Sequence, residues 1–336
     1  MKKIKILLTR ALSPVEIDYI NKNLDENYIL ILPEKYTEEE LLKYVEDVDI
    51  LLGDTITKSI LDKGTKVKLI QVPWAGVERL DFDVLSNYNI PVCNSHSNAL
   101  CVAEYGVGLL LSIAKKIPYH DKLLREGSWN RNYNKENNSG VSPYSSYITN
   151  KTIGFIGYGN IAKNMAKLMK GFNCKYMAIV SNKERQYEEL DFVGDIENLD
   201  YVLSNSDYIV VAAALTKETR GMLNINNLTK MKKTGYIINI SRGKIIDEES
   251  LYYVLENKLI AGAAIDTWYN YPMDSKEVTY PSKKFDFHKL DNIIISPHRA
   301  AQIIGEVPYL DDAIYNINEF SKNKNYINKL NLDKGY

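Results

Sequence analysis

Residues 151–163 read Lys151-Thr-Ile-Gly-Phe-Ile-Gly157-Tyr-Gly159-Asn-Ile-Ala162-Lys163, a β-branched run that breaks into Gly-x-Gly-x-x-Ala and resumes at helical spacing. Gly157 permits a sharp strand-to-helix turn, Gly159 lets backbone come close to a pyrophosphate, and the small Ala162 lets the helix lie tight on the strand. Ile161, Met165, Leu168 and Met169 follow at helical intervals. The stretch is a dinucleotide-binding turn, with the phosphates resting on the helix N-terminal amides around Asn160 and Ile161.

Working outward, strand-like and helix-like runs alternate on both sides of this turn. Upstream, strands are expected at Ile4–Leu8, Tyr28–Leu32, Asp49–Leu52, Val67–Val72 and Ile90–Val92, with helices at Val15–Leu24, Glu38–Val45 and Lys58–Lys63. Downstream, strands are expected near 152–157, 175–180, 208–212, 236–240, 260–265 and 292–296, with helices near 160–170, 197–204, 224–232 and 247–257. Such alternation predicts an α/β protein of two doubly wound parallel-sheet domains. Between them lie an apolar helix over about 98–119 and a loop over 121–150 rich in Asn, Ser, Gly and Tyr. A last helical segment, Glu306–Phe320, follows the final strand and is placed to pack back on the first unit.

A chain of 336 residues is long for one α/β domain and comfortable for two. Lys plus Arg total 42 against 43 Asp plus Glu, so net charge gives no reason to expect nucleic acid or an acidic membrane as partner. A small-molecule ligand is expected instead. Cys93, Cys101 and Cys174 have neither disulfide nor zinc-site spacing, which fits reduced thiols in the cytoplasm and no metal site. The basic start Met1-Lys-Lys-Ile-Lys-Ile-Leu-Leu8 runs at once into Thr9-Arg10, so it reads as a first strand rather than a signal peptide. Ala99–Ile113 is interrupted by Glu104 and too short to span a bilayer.

The four histidines are His96, His120, His288 and His298. His298 lies just past an expected strand, on the edge where open α/β sheets bind ligands. His120 and His288 sit in polar stretches and read as surface residues; His96, in Asn94-Ser-His-Ser-Asn98, reads equally as a ligand contact or a structural residue. Arg242 ends the strand Tyr236–Ile240, where its guanidinium could hold a carboxylate with two hydrogen bonds or simply be solvated. Asp266 ends a third strand on the same edge.

At this point the chain resembles the D-isomer-specific 2-hydroxyacid dehydrogenases over nearly its whole length. The matching stretches are Val72-Pro-Trp-Ala-Gly-Val77, Asn94-Ser-His-Ser-Asn-Ala99, Val102-Ala-Glu104, the glycine turn, Leu215-Thr-Lys-Glu-Thr219, Asn239-Ile-Ser-Arg242-Gly243, Gly262-Ala-Ala-Ile-Asp266 and Ser296-Pro-His298. The resemblance implies a flavodoxin-like substrate domain of residues 1–97 and 300–336, into which a Rossmann NAD(P)-binding domain of residues 98–299 is inserted. It implies a homodimer built largely by the helix over about 98–119 and the loop after it. It also implies a hydride transfer between NAD(P)H and a small 2-oxo acid such as glyoxylate or hydroxypyruvate. In that reading His298 exchanges the hydroxyl proton, Arg242 grips the carboxylate and polarises the carbonyl, and the amides of Ala75, Gly76 and Val77 hold the carboxylate. Trp74 and Tyr271 could crowd the cleft, and His96 could hydrogen-bond a polar substituent of the substrate. Asp266 holds the nicotinamide amide, while Ile240, Ser241, Ala214 and Thr219 line the cofactor.

Two positions depart from the family. The glutamate that normally pairs with the histidine, five residues past the Asp266 position, is here Tyr271, whose hydroxyl can orient the ring but adds no negative charge. Formate dehydrogenases also lack that glutamate, so formate-type chemistry stands as an alternative, as does a dinucleotide-binding regulatory protein whose catalysis has faded. The second departure concerns the cofactor. NAD enzymes place an acid about twenty residues past the glycines to hold the ribose 2′-hydroxyl. Here Ser181-Asn182-Lys183-Glu184-Arg185 lacks an acid at that place and offers Lys183 and Arg185, which favours NADP over NAD.

Overall fold

Ile, Leu and Val runs with almost no polar interruption form strands covered on both faces, the pattern of a parallel sheet. The computed structural model describes residues 3–129, 144–272 and 276–335. In chain order the first unit begins with β1 (Ile4–Leu8), α1 (Pro14–Asn23), β2 (Tyr28–Ile31), α2 (Glu38–Leu41), β3 (Ile50–Leu52), α3 (Lys58–Lys63), β4 (Leu69–Gln71), α4 (Phe82–Leu85) and β5 (Val92–Cys93). The second comprises α5 (Ala99–Lys115), α6 (Ile117–Arg125), β6 (Thr152–Ile156), α7 (Asn160–Leu168), β7 (Lys175–Ile179), β8 (Phe192–Gly194), α8 (Leu199–Asn205) and β9 (Tyr208–Val211). It continues through α9 (Ile225–Leu228), β10 (Tyr236–Asn239), α10 (Glu248–Glu256), β11 (Gly262–Ile265) and β12 (Ile293–Ile295). The chain then returns to the first unit with α11 (Asp311–Phe320). The units are Met1–Asn98 with Gln302–Tyr336, and Ala99–Ala301.

The first sheet is parallel, in the order β2-β1-β3-β4-β5. Alternate residues of its strands feed opposite faces. Ile6, Leu8, Leu52 and Leu69 pack with Ile314, Ile317 and Phe320 of α11, while Leu7, Leu51 and Ile70 pack with Leu41, Ile60 and Leu61 on the other side. A buried amide chain also ties α11 to this sheet. Asn316 donates to the Gln71 side chain at 2.8 Å, and Gln71 donates to the carbonyls of Val72 and Asn94.

The second sheet is parallel, in the order β12-β11-β10-β9-β6-β7-β8. β8 is not among the strands read from the sequence, because Phe192-Val-Gly194 is too short to show a period. The helix expected over 98–119 is two helices. Lys116 turns left-handed at φ +55°, since the Pro118 ring would clash with a continuing helix. α6 then runs to Arg125, which corrects the loop expected from 121; residues 130–143 of that loop lie outside the described residues. Gly106 lets α5 lie close on α7 and β10, where a Cβ would come within 2.8 Å of Ile240 and 3.0 Å of the Met165 sulfur. Among the described residues no helix is long and apolar enough to cross a membrane.

Candidate active site

The second sheet changes direction between β6 and β9, since the chain runs from β6 outward to β8 and then crosses to β9. Ligands of open α/β sheets bind outside the strand carboxyl ends at such a point. Gly157 and Gly159 lie there, and they do different things. Gly157 is at φ +87°, and a Cβ on it would come within 2.7 Å of the Ala213 backbone after β9. Gly159 caps α7 with nothing within 4 Å of its would-be Cβ, so the space beside the first helical amides is open. The Asn160 and Ile161 amides open α7, Ala162 is fully buried, and the residues present fit a dinucleotide's pyrophosphate. On the β9 side, Thr219 donates to the Ala214 carbonyl at 2.7 Å and closes the 214–219 loop that follows this strand.

β10, β11 and β12 are neighbours, and the structure brings Arg242, Asp266 and His298 onto one sheet edge from their carboxyl ends. Asn239, nearly fully buried, shapes the first turn. Its side-chain Oδ1 accepts from the Ser241 amide at 3.1 Å and the Ser241 hydroxyl, and its Nδ2 donates to the Arg242 carbonyl at 3.0 Å. Ile240 is buried in this turn, and an Arg242 Nη1 hydrogen bond to the Ser241 carbonyl at 2.8 Å braces the guanidinium. Gly243 is required next, since a Cβ there would come within 2.5 Å of the Trp268 carbonyl.

Asp266, expected to face the nicotinamide amide, is instead fully buried inside the following turn. Its Oδ1 accepts from the Ser296 hydroxyl and, at 2.8 Å, from the Arg299 amide, while its Oδ2 accepts from the Ala300 amide at 3.1 Å. Ser296 is held further by the Tyr105 hydroxyl at 2.8 Å, and its carbonyl accepts from Trp268 Nε1 at 2.7 Å. This over-determined turn keeps the exposed His298 in the left-handed region at φ +56°. The Tyr271 ring lies 5.6 Å from the His298 ring, and its hydroxyl accepts from the Trp268 amide at 2.9 Å.

At the end of β7, Lys183, read as a partner for a 2′-phosphate, forms an ion pair at 2.5 Å with Asp195, which arrives from the end of β8. Arg185 lies over the Tyr187 ring at 5.9 Å, and Asn182 accepts from the Glu184 amide at 3.1 Å. Tyr187 also meets Tyr158 of the glycine turn edge-on at 5.8 Å, so the Ser181–Tyr187 loop is braced against that turn. His288, expected at the surface, is half-buried and stacks on Tyr280 at 3.9 Å between centroids.

In the first unit, Trp74-Ala75-Gly76-Val77 follows β4. The Asn94 side chain donates to the Ala75 carbonyl at 2.9 Å, and the Ser95 amide donates to the Trp74 carbonyl at 3.2 Å. The carbonyls are thus taken, while the amides of Ala75, Gly76 and Val77 make no hydrogen bond among the described residues. His96 follows, its amide donating to Asp312 of α11 at 2.6 Å. Burial pushes its imidazole below the usual histidine value, and the Asp312 carboxylate pulls the other way.

Three residues that matter here were not read from the sequence. Asn239 stands inside the Asn-Ile-Ser-Arg motif, so a polar residue ending an apolar strand was the available signal. Ser296 likewise sits in the Ser-Pro-His motif, but its role depends on side chains from α5 and β11. Asp195 had no signal, because its strand was not recognised.

The family model described as the D-isomer specific 2-hydroxyacid dehydrogenase NAD-binding domain matches residues 107–300. A glyoxylate reductase of Thermofilum pendens is 32% identical over 274 residues, covering 80% of this chain and 76% of that protein. One from Pyrococcus furiosus is 30% identical over 305 residues, covering 88% of this chain and 85% of its own length. Among solved structures, the acyclic imino acid reductase Bsp5 in complex with NADPH and D-Arg superimposes with a TM-score of 0.77 at 25% identity, covering 98% of this chain and 100% of that one. With its glycine turn at the switch point and Arg242 and His298 on the adjoining strand ends, the chain belongs to the NAD(P)-dependent D-isomer specific 2-hydroxyacid dehydrogenases.

Proposed function

We propose that the protein reduces a small 2-oxo acid of the glyoxylate or hydroxypyruvate kind to its D-2-hydroxy acid, with NADPH preferred over NADH. The observation that carries this reading is the placing of Arg242 and His298 on one sheet edge beside the β6–β9 switch point. Bound NAD(P)H supplies the hydride that reduces substrate C2. The residues around Gly157 and Gly159 hold its pyrophosphate. Arg242 takes the substrate carboxylate and draws electron density toward the carbonyl oxygen, while His298 delivers a proton to that oxygen from its imidazole. The amides of Ala75, Gly76 and Val77 are carboxylate donors, and Trp74 and His96 touch the rest of the substrate. Tyr271 limits the tilt of the His298 ring, and Asp266 acts through the turn that presents it.

The NADPH preference rests on the end of β7, where Ser181 and Asn182 stand in place of an acid and Arg185 lies beyond them. Lys183 contributes less, being paired with Asp195. In this reading residues 1–97 with 300–336 are the substrate domain and 98–299 the cofactor domain. The homodimer forms through α5 and the segment after it, where Leu100, Ile117 and Leu124 are exposed. A cytoplasmic setting agrees with three thiols not joined by any disulfide. The test is oxidation of NADPH and NADH at 340 nm with glyoxylate, hydroxypyruvate and pyruvate. At least tenfold higher kcat/KM with NADPH is expected; an NADH preference overturns the cofactor assignment, and cofactor binding without turnover overturns the activity.

A further inference from the structure

The first sheet also has a switch point. Its order, β2-β1-β3-β4-β5, reverses between β1 and β3, and the crevice outside the carboxyl ends of those two strands is where a flavodoxin-like sheet takes its ligand. Arg10 stands just past the end of β1 and Asp54 just past the end of β3. Gly53, at φ +135°, lets the two ends press together, since a Cβ there would come within 2.5 Å of the Thr9 hydroxyl. Arg10 Nη1 donates to Asp54 Oδ2 at 2.7 Å, and its guanidinium lies 4.9 Å from the Trp74 ring centroid. Trp74 leads directly into the Ala75–Val77 amides.

The pair is asymmetric. The Asp54 side chain is 3% exposed and that of Arg10 is 40%, so the anion lies inside and the cation at the mouth. Asp54 Oδ1 is buried with no partner, so the carboxylate leans on this guanidinium. A guanidinium carries five N–H donors in one plane, and here one of them is taken by a carboxylate while the group lies over an indole ring. A surface arginine needs no such support. An arginine that must present its remaining donors in a fixed direction does.

We infer that Arg10 is a specificity-determining residue, taking an oxygen acceptor on substrate carbon 3 or 4, and that Asp54 is its positioning residue. This rests on the function proposed above and deepens it: among 2-oxo acids that carry a side chain, those whose side chain bears an oxygen are preferred. The chemistry is met by a hydroxyl, as in hydroxypyruvate, or by a second carboxylate, as in oxaloacetate. The charged group is favoured because its bond to the guanidinium is charge-assisted at both ends.

Matched substrates test it: hydroxypyruvate against pyruvate, and oxaloacetate against 2-oxobutyrate, by kcat/KM in the wild type, Arg10→Met and Arg10→Met/Asp54→Asn. The methionine keeps an unbranched side chain for Trp74, and the double variant leaves no buried charge unpaired. The wild type should favour the oxygenated member of each pair at least tenfold, more for oxaloacetate, and both variants should bring the ratios within about threefold. A wild-type ratio near one, or a ratio preserved in the variants, overturns the inference while leaving 2-oxo acid reduction standing. Succinate and butyrate titrated against tryptophan fluorescence read the same subsite without turnover. Succinate should bind the wild type at least tenfold tighter than Arg10→Met, and equal binding overturns the inference even for a protein that turns over nothing.

Discussion

Replacing Asp266 by asparagine tests whether this carboxylate acts through the His298 turn. The side chain is fully buried and accepts from the Ser296 hydroxyl and the amides of Arg299 and Ala300. The Asp266→Asn side chain keeps the shape but carries no charge, and its NH2 group would place a donor against a donor. Hydrogen bonds to a charged group contribute about 1.5–3 kcal/mol each and neutral ones about 0.5–1.5, so three such bonds lose about 3 kcal/mol together. At about 2–4 °C per kcal/mol for a unit of this size, the melting temperature should fall by roughly 6–12 °C. If the loss is concentrated in the turn, kcat should fall on the order of 100-fold, at about 1.4 kcal/mol per factor of ten. The assays are calorimetric melting of the cofactor-free protein and steady-state kinetics with saturating NADPH. An unchanged melting temperature, with the defect confined to the KM for the cofactor, would refute the reasoning and return Asp266 to the nicotinamide.

The two glycines of the turn should separate in the same assays: Gly157→Ala meets the Ala213 backbone and should lose several degrees of melting temperature, while Gly159→Ala points into open space and should melt normally but bind NADPH at least tenfold more weakly. His96 titrates with a lowered value in the folded chain, so the unfolded chain binds more protons. Stability should therefore fall as pH drops from about 6.5, the usual histidine value, through the lower folded value. Measured from pH 8 to 5, the decline in melting temperature should be shallower in His96→Gln; an identical slope contradicts the burial argument. Tyr271→Glu puts a carboxylate beside the His298 ring, which favours the protonated imidazole. The alkaline limit of kcat/KM for carbonyl reduction should move up by about one pH unit, and a profile that does not move removes Tyr271 from the site.

Where function depends on backbone, the sequence was legible. Gly157, Gly159 and Ala162 name a turn because each has one steric reason to be there, and the close approach of Ala213 to Gly157 is that reason in coordinates. Arg242 and His298 could be placed because strand ends are readable from apolar runs and the parallel order puts those ends on one edge. Side-chain pairing was not legible. Asp266 looked like an outward-facing acid, and nothing in its own segment announces that the amides of Arg299 and Ala300, 33 and 34 positions on, fold back to it. Lys183 looked available because Asp195 directly follows β8, too short to register as a strand. Arg10 reads from the sequence only as the polar end of the first strand, since its meaning comes from Asp54 and Trp74, which only the sheet order brings alongside.

Transfer of the cofactor's hydride to C2 of the substrate is the central claim, and isotopic labelling reads it directly. With glyoxylate and NADPH deuterated at the transferring position of nicotinamide C4, glycolate should carry one deuterium at C2, and Arg242→Gln or His298→Gln should slow its appearance by at least 100-fold. Glycolate formed without deuterium, or formed at the wild-type rate by both variants, would contradict the account.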